Sequence, residues 1–218
     1  MENLGKADWD DPERVKRLAA SYSQRYGKTF WHTLLKLTGP ERRETILDLG
    51  CGPGLFLLDA TTRYKAKRVI GLDASEAMLE QAHHFLAGKL EESNTLLRVV
   101  DFDSSDPGVE PNTIDLAFSG FLLHEIRNPE GLLPHVYKSL KPKGIYAAYE
   151  FVSGDLVSFI DYMKRGGMSE ADARRRYPHM CKYSLAQFEG MLRGAGFSRV
   201  KSSLIDVRAV FVGLKAEK

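Results

Sequence analysis

Short apolar runs alternate with amphipathic segments along most of the chain. Seven of these runs are rich in β-branched and aromatic residues and are predicted strands, at residues 45–49, 68–73, 96–100, 114–119, 144–151, 199–204 and 209–214. Strands that alternate with helical patterns are typical of a parallel sheet with helices on both faces. The last two runs have no helix between them and predict an antiparallel hairpin. We therefore expect an α/β fold with a doubly wound, mostly parallel seven-stranded sheet and a C-terminal antiparallel hairpin.

Capping residues mark where several helices begin. Ser75 is a predicted N-cap, because a serine hydroxyl can accept a hydrogen bond from an unpaired N–H group of the first helical turn. Asn128 precedes a proline at the first helical position, and Pro134 predicts a kink or a later start of the same helix. Ser184 and Gln187 have the spacing of a capping box, which predicts a further helix after them.

The length and the order of elements favour a single domain. Its predicted core is residues 40–151, and residues 184–218 are the terminal helix and hairpin. Two segments lie outside the strand–helix alternation. Residues 8–38 predict an N-terminal helical cap, and residues 153–183 predict an insertion after the fifth strand. We expect both segments to cover the carboxyl edge of the sheet, where open α/β sheets bind their ligands.

Composition and charge argue against several classes of protein. The 218 residues include 31 basic and 29 acidic side chains, a net charge of +2, so no general attraction to nucleic acid or to an anionic membrane is expected. No apolar run approaches the ~20 residues of a membrane span, and no signal peptide is visible. The two cysteines, Cys51 and Cys181, cannot supply a Cys-rich zinc site. We expect a cytoplasmic protein without a metal site.

The most informative segment is ILDLGCGPG, in which a strand leads into a glycine-rich turn and then into a helix. Gly50, Gly52 and Gly54 permit tight backbone angles and let a ligand approach the main chain. The dinucleotide fingerprint G-x-G-x-x-G would require its third glycine at position 55, which is a leucine. Asp48 would also repel a pyrophosphate, whereas it favours the cationic sulfonium and ammonium groups of S-adenosylmethionine (SAM). A nicotinamide dinucleotide is therefore a poor fit.

Polar residues also follow the next three predicted strands. Asp73 ends the second strand, where a carboxylate can accept hydrogen bonds from both hydroxyl groups of a ribose. Asp101 can accept a hydrogen bond from an adenine amino group, and Phe102 can pack on the adenine ring. Ser119 ends the fourth strand. Because the carboxyl ends of parallel strands meet at one edge, we expect these side chains in one nucleoside-binding site.

Together these motifs resemble those of the class I, Rossmann-like SAM-dependent methyltransferases. DLGCGPG is similar to the family's first motif, GLDAS to its ribose-binding motif, VVDF to its adenine motif, and IDLAFS and LKPKGIYAAYE to its fourth and fifth strands. Lys143 departs from the family pattern, which usually has glycine there. The resemblance implies SAM as cofactor and S-adenosylhomocysteine (SAH) as product. The cofactor contacts that it implies are Tyr22, Asp48, Gly50, Cys51, Gly52, Gly54, Asp73, Ala74, Met78, Asp101, Phe102 and Ser119.

The reaction implied by this resemblance is transfer of the SAM methyl group to an acceptor. His124 is the first candidate for a general base and Glu150 the second, because both lie where a strand ends at the crevice. We expect a small-molecule acceptor. A tRNA or protein acceptor, or a SAM-binding protein without catalysis, are the alternatives.

Basic residues are concentrated in the insertion. Residues 164–182 contain six basic and two acidic side chains, which gives this segment a net charge of +4. Arg174, Arg175 and Arg176 are consecutive members of this group. The basic cluster is either a solvated helix face or part of a lid that selects an anionic acceptor through planar guanidinium groups.

Overall fold

Seven strands form one mixed sheet in the computed structural model, which describes residues 9–103 and 106–217. The strands are β1 (Thr45–Leu49), β2 (Arg68–Asp73), β3 (Thr95–Val99), β4 (Ile114–Gly120), β5 (Leu140–Phe151), β6 (Ser198–Ile205) and β7 (Arg208–Leu214). Their order across the sheet is β3-β2-β1-β4-β5-β7-β6. Strand β7 runs antiparallel to both of its neighbours, and the other six strands share one direction. The predicted fold is therefore confirmed.

The α-helices of the described residues fall into three groups. Before β1 lie α1 (Pro12–Ala20), α2 (Tyr22–Arg25) and α3 (Lys28–Thr38). Between the parallel strands lie α4 (Leu55–Tyr64), α5 (Glu76–Leu86) and α6 (Pro129–Ser139), with a short 3-10 helix at Glu92–Asn94 before β3. After β5 lie α7 (Leu156–Arg165), α8 (Glu170–Met180) and α9 (Leu185–Gly194). None of the helices in the described part of the chain is long and apolar enough to cross a membrane.

The predicted capping residues begin these helices. Ser75 Oγ accepts a hydrogen bond of 3.1 Å from a backbone N–H of the first turn of α5. Ser184 and Gln187 form both hydrogen bonds of the capping box, at 3.2 and 2.8 Å. Asn128 caps α6, which begins at the next residue and continues through Pro134. The alternative of a later helix start is wrong, because the Asn128 cap already fixes the first turn.

Strand side chains pack into two apolar cores, one on each face of the sheet. On one face, Phe118 of β4 stacks on Phe56 of α4 with ring centroids 3.7 Å apart, and residues of α3 and α5 join the same core. On the other face, residues of α6 and α9 pack on the strands. Because both faces are covered, a ligand reaches the parallel strands at their carboxyl edge.

The two segments outside the strand–helix alternation lie near that edge. Hydrogen bonds from Ser75 Oγ to the carbonyl oxygen of Trp9 (2.9 Å) and to Asp10 Oδ1 (2.7 Å) attach the N-terminal segment to the start of α5. Helices α7 and α8 pack on Phe151, the last residue of β5, in a third apolar cluster that includes Phe159. The ends of β2 and β5 are thus each flanked by one of these segments.

Candidate active site

The turn after β1 has glycines with left-handed backbone angles. Gly50 and Gly52 have φ angles of 72° and 50°, a region that costs other residues roughly 1–2 kcal/mol. The N–H groups of Gly50 and Cys51 both donate to the carbonyl oxygen of Leu72, at 2.8 and 3.0 Å, which ties the turn to the end of β2. The main chain of this turn forms one wall of a cavity at the sheet edge.

That cavity has a volume of about 180 Å³ and lies at the carboxyl ends of the parallel strands. Ten of the twelve predicted cofactor contacts line it, namely Tyr22, Asp48, Gly50, Cys51, Gly52, Asp73, Ala74, Met78, Asp101 and Phe102. Its wall also includes residues that the motifs did not single out as site residues, among them Trp9, Leu18, Arg25, Phe121 and Glu125. The structure therefore brings the ends of several strands together with the N-terminal helices.

Two of the predicted contacts, Gly54 and Ser119, lie outside the cavity wall. A side chain at Gly54 would place its Cβ 3.0 Å from Cβ of Ala82 on α5, so this glycine permits close packing of two helices. Ser119 is fully buried, and its hydroxyl is hydrogen-bonded to Tyr146 Oη at 2.6 Å. At the end of β4 the residue that lines the cavity is Gly120. Contacts of Gly54 and Ser119 with the cofactor stay a prediction.

Two acidic side chains in the cavity wall lie close enough to influence each other. Asp48 is 2% exposed, and burial, followed by the charge of Asp73, raises its pKa well above the usual value. The carboxylate of Asp73 accepts backbone N–H hydrogen bonds from Gly52 (2.7 Å) and Ser75 (3.0 Å), which fix its position. Neither acid forms an ion pair with another described residue. This wall therefore favours a cationic ligand.

Another part of the cavity wall is formed by the residues that follow β3. Phe102 is buried and Asp101 is exposed, with Asp101 Oδ1 accepting the backbone N–H of Asp103 at 3.0 Å. A further acid of the same loop, Asp106, pairs with His135 at 2.9 Å and does not line the cavity. An apolar ring next to a carboxylate is a suitable surface for an adenine.

The N-terminal helices cover the cavity. Tyr22 and Tyr26 both line it, and Tyr22 Oη donates a hydrogen bond of 2.9 Å to Asp59 on α4. Tyr26 packs against Gly120, where any side chain would collide with the tyrosine hydroxyl. Trp31 of α3 is buried in the core against Phe56, with ring centroids 5.3 Å apart, and does not line the cavity.

Behind the end of β4 lies a network of alternating acids and histidines, which runs from the buried Glu150 to the exposed His179. Glu150 is fully buried and accepts from the backbone N–H of Leu123 at 2.7 Å and from His124 Nδ1 at 2.7 Å. His124 Nε2 lies 3.4 Å from one oxygen of Glu125, and His179 Nε2 of α8 lies 3.3 Å from the other. Only Glu125 of these four side chains lines the cavity.

The network holds a proton on His124. Burial lowers the pKa of His124, but the charges and hydrogen bonds of Glu150 and Glu125 outweigh it and raise the pKa to about 9. At neutral pH His124 is therefore an imidazolium that has no lone pair to act as a base. The predicted bases His124 and Glu150 both lie behind the wall, because each is buried against the other; the group that faces the cavity is Glu125.

The donor atoms of His124, Glu125 and His179 lie within 4.8 Å of one another, as metal ligands do. In this structure the two carboxylates satisfy the histidine N–H groups directly. The absence of a metal site stays a prediction. The participation of His179 was not predicted, because nothing in the sequence near it indicates contact with Glu125, which is 54 residues away.

Comparison with known proteins decides the family. The methyltransferase domain family matches residues 21–202, which is most of the chain. The chain belongs to this family. It is a SAM-dependent methyltransferase of class I, as the sequence motifs indicated, and SAM is its cofactor.

The names of individual relatives give different activities. A carboxy-S-adenosyl-L-methionine synthase of Wolinella succinogenes is 31% identical over 196 residues, covering 82% of this chain and 79% of the relative. A trans-aconitate 2-methyltransferase of Methylobacterium nodulans is 32% identical over 147 residues, and the match covers 65% of this chain and 49% of the relative. A phosphoethanolamine N-methyltransferase of Haemonchus contortus in complex with SAM has a TM-score of 0.71 at 17% identity, covering 97% and 59% of the two chains, which shows the shared fold.

The acidic wall of the cavity suits the positive charges of SAM. The sulfonium and ammonium groups of SAM would lie against Asp48, which forms no ion pair with another described residue. Its ribose would lie near Asp73, which keeps unshared electron pairs beyond the two backbone hydrogen bonds. The assignment of each contact stays a prediction.

The imidazolium of His124 makes the stability of the methyltransferase depend on pH. Its pKa rises from the usual 6.5 to about 9 on folding, so the stabilisation is complete below about pH 6.5 and is lost as the pH rises through 9. At about 1.4 kcal/mol per pKa unit, the free energy of unfolding should fall by roughly 3–4 kcal/mol across this window. Urea denaturation at several pH values measures it. A double variant, His124→Gln with Glu150→Gln, leaves no buried charge unpaired and should lack this component; an unchanged pH dependence in that variant would contradict the assignment.

Three residues of the basic cluster, Arg174, Arg175 and Arg176, lie on the exposed surface of α8. Arg174 pairs with Glu170 at 2.8 Å and Arg175 pairs with Asp172 at 2.6 Å, all within the same helix. Arg176 is also exposed. This arrangement favours the interpretation of a solvated helix face, because two of the three guanidinium groups pair within the helix and none of the three lines the cavity.

Proposed function

We propose that the methyltransferase transfers the methyl group of SAM to a small molecule held in the same cavity. The observation that carries this proposal is the division of the cavity wall. The acidic end, with Asp48 and Asp73, suits the cationic cofactor, and the far end offers Arg25, Phe121 and Glu125 to a second molecule. The N-terminal helices cover this space, and a covered cavity admits a small acceptor more readily than an RNA or a folded protein.

The named activities of relatives support a small acceptor. Trans-aconitate, the acceptor in the name of one relative, is a small carboxylate, and carboxy-S-adenosyl-L-methionine, the product in the name of another, is also a small molecule. The chain spans about half the length of the trans-aconitate methyltransferase that it matches. The proposal of a small acceptor for this chain therefore rests on the residues of its own cavity.

The residues of the chain bind and align the reactants. SAM supplies a methyl group that is activated by the positive charge on sulfur. Asp48 and the backbone of Gly50 and Gly52 hold the amino-acid tail, Asp73 holds the ribose, and Phe102 packs on the adenine. Alignment of nucleophile, methyl carbon and sulfur, together with exclusion of water by the N-terminal helices, accounts for most of the acceleration expected in such a displacement.

Glu125 orients the acceptor in this proposal. Burial disfavours its charged form, but the hydrogen bonds and charges of His124 and His179 hold its pKa below the usual value, so it is an anion at neutral pH. An anionic oxygen in the cavity wall can accept a hydrogen bond from a nucleophilic O–H or N–H group. With SAM bound, the acceptor would take the methyl group, the electron pair of the broken carbon–sulfur bond would stay on sulfur, and Glu125 would receive the proton that the acceptor loses.

Methyl-labelled SAM tests the proposed function. The protein is incubated with labelled SAM and with three separate fractions of a cell extract: small molecules, RNA and protein. We expect label only in the small-molecule fraction, and much less with Asp73→Ala, which weakens cofactor binding and serves as the background. Label in RNA or protein would support a macromolecular acceptor instead, and no label with intact SAH binding would support a binding protein without catalysis.

A further inference from the structure

A buried arginine beside the cavity lacks the partners that a buried charge requires. Arg208, the first residue of β7, is 6% exposed, and its Nε and Nη1 groups are buried without a hydrogen-bond partner. Its guanidinium carbon lies 4.5 Å from the ring centre of Tyr162 and 5.1 Å from that of Tyr149. The acid closest to it along the chain, Asp206, pairs with Arg165 at 2.6 Å. No described carboxylate forms an ion pair with Arg208.

A second arginine, Arg25 of α2, lies over two aromatic rings that neighbour Tyr149. Arg25 lines the cavity, and its guanidinium carbon lies 5.4 Å from the ring centre of Tyr26 and 6.0 Å from that of Phe121. One nitrogen donates to the carbonyl oxygen of Leu18 at 2.6 Å, but Nε is buried without a partner. Burial lowers the pKa of Arg25, and the positive charge of Arg208 acts in the same direction. A buried and a half-buried cation that disfavour each other would both be stabilised by an anion.

The aromatic rings between the two arginines do not supply one. Phe121 and Tyr149 lie 5.0 Å apart between ring centroids, and the Tyr149 hydroxyl is itself buried without a partner. Cation–π contacts with these rings stabilise the guanidinium charge. They provide no acceptor for the N–H groups, and an unmade hydrogen bond in a buried place is costly. A purely structural role therefore leaves unsatisfied three polar groups that one anion would satisfy.

The position of these residues connects them to the acceptor end of the cavity. Arg25 and Phe121 line the cavity, and Phe121 packs against Tyr149, one of the two rings over which Arg208 lies. Arg208 itself lies behind this wall. Asp48 and Asp73 lie on the other part of the wall. Glu125, the acid on the acceptor side, is paired with His124 and His179. The cavity is thus acidic where the cofactor binds and basic at the opposite end.

We propose that Arg208 and Arg25 bind an anionic oxygen group, a carboxylate or a phosphate, of the methyl acceptor. That the bound anion belongs to the methyl acceptor rests on the proposed function. That an anion binds here rests on the unpartnered guanidinium groups. The planar guanidinium suits either oxygen group, because its N–H donors lie in one plane and point in fixed directions. Tyr149 contributes its hydroxyl as a further donor. This arginine pair takes the role that the sequence suggested for the basic cluster on α8.

Stability and anion binding together test the site. Thermal unfolding of the whole protein is followed in sodium succinate, sodium phosphate and sodium chloride at equal ionic strength, with and without saturating SAH. We expect succinate or phosphate to raise the melting temperature of the wild-type protein above its value in chloride, and the more effective anion identifies the oxygen group. Arg208→Met keeps the apolar stem and removes the charge. In chloride it should melt about 2–4 °C higher than wild type, because an unpaired buried charge is lost. The rise in melting temperature that succinate or phosphate causes should be smaller in this variant than in the wild-type protein, with only the general stabilisation by these anions left.

The matched control is Arg174→Met on the exposed face of α8, which should change neither the melting temperature in chloride nor the effect of the anions. Each of three results would overturn the arginine site. The first is a lower melting temperature of Arg208→Met in chloride, which would give the arginine a structural role. The others are an unchanged anion effect in that variant, and no effect of either anion on the wild-type protein. The series without SAH separates this test from the proposed function. Loss of SAH binding or of methyl transfer, with an intact anion effect, counts against the proposed function alone.

Discussion

Gly52→Val is expected to lower the affinity of the methyltransferase for SAH by about 100-fold or more, a loss of at least ~2.8 kcal/mol. A Cβ at this position would lie 3.5 Å from Leu18 Cδ2 and 3.9 Å from Met78 Sδ, which are ordinary contacts. The side chain therefore has room in the protein. Both neighbours line the cavity, as Gly52 does, so the methyl groups of valine would take the space in which the ligand meets the main chain. Isothermal titration calorimetry with SAH measures the loss.

Gly88→Val is the matched control for this substitution. Gly88 has a φ of 69°, close to the 50° of Gly52, and an added Cβ would meet nothing within 4 Å. Both variants therefore carry the strain of a β-branched residue at positive φ, and both should melt at a lower temperature than wild type. Only Gly52→Val should lose affinity for SAH. An equal loss in the two variants would mean that strain, and not the ligand space, decides the affinity.

The fold could be predicted because its signals are local. The strand β1 and the strand β2 were predicted at their observed bounds, since an apolar run with β-branched residues and a polar boundary is visible within a few positions. The capping box of Ser184 and Gln187 is equally local. The start of α6 was left open, because the cap at Asn128 and the breaking tendency of Pro134 compete and the sequence alone does not weigh them.

The cofactor end of the site could be predicted for a related reason. In a parallel sheet the carboxyl ends of all strands meet at one edge, so Asp48, Asp73 and Asp101 could be placed together from the strand ends alone. Gly54 and Ser119 show where this reasoning stops. Their position along a strand or turn does not tell whether the residue faces the ligand, a neighbouring helix or a buried tyrosine.

The acceptor end depends on contacts between distant parts of the chain. Arg25 and Arg208 are 183 positions apart in sequence. They come near each other only because α2 and β7 place them over Phe121 and Tyr149, two rings that pack together. No local pattern marks either residue. The basic cluster attracted attention by its density, yet the spacing of Glu170 to Arg174 and of Asp172 to Arg175 already fits pairs on one helix face. Charge density in a sequence is therefore weaker evidence of a binding site than an unpaired charge in a structure.

Glu125→Gln is expected to lower kcat by about 100-fold, the lower end of the range for a group that takes part in proton transfer. Glutamine keeps the size of the side chain and an acceptor oxygen but removes the negative charge that His124 and His179 stabilise. Affinity for SAH should change less than threefold, because the acids of the cofactor end are untouched. Steady-state rates with the acceptor fraction identified by labelling measure the effect. Glu170→Gln, which removes an exposed acid that pairs with Arg174 on α8, is the control and should leave kcat unchanged.

A double-mutant cycle then separates the roles of His124 and Glu125. If His124 only holds Glu125 in place and charged, His124→Gln lowers kcat in the wild-type background, by about tenfold, and has little further effect in the Glu125→Gln background. If His124 itself contacts the acceptor, the two losses multiply. The geometry favours the first result, because His124 is 4% exposed and lies behind the wall, with Nδ1 bonded to Glu150 and Nε2 facing Glu125. Multiplying losses would return His124 to the catalytic role that its place after the fourth strand suggested.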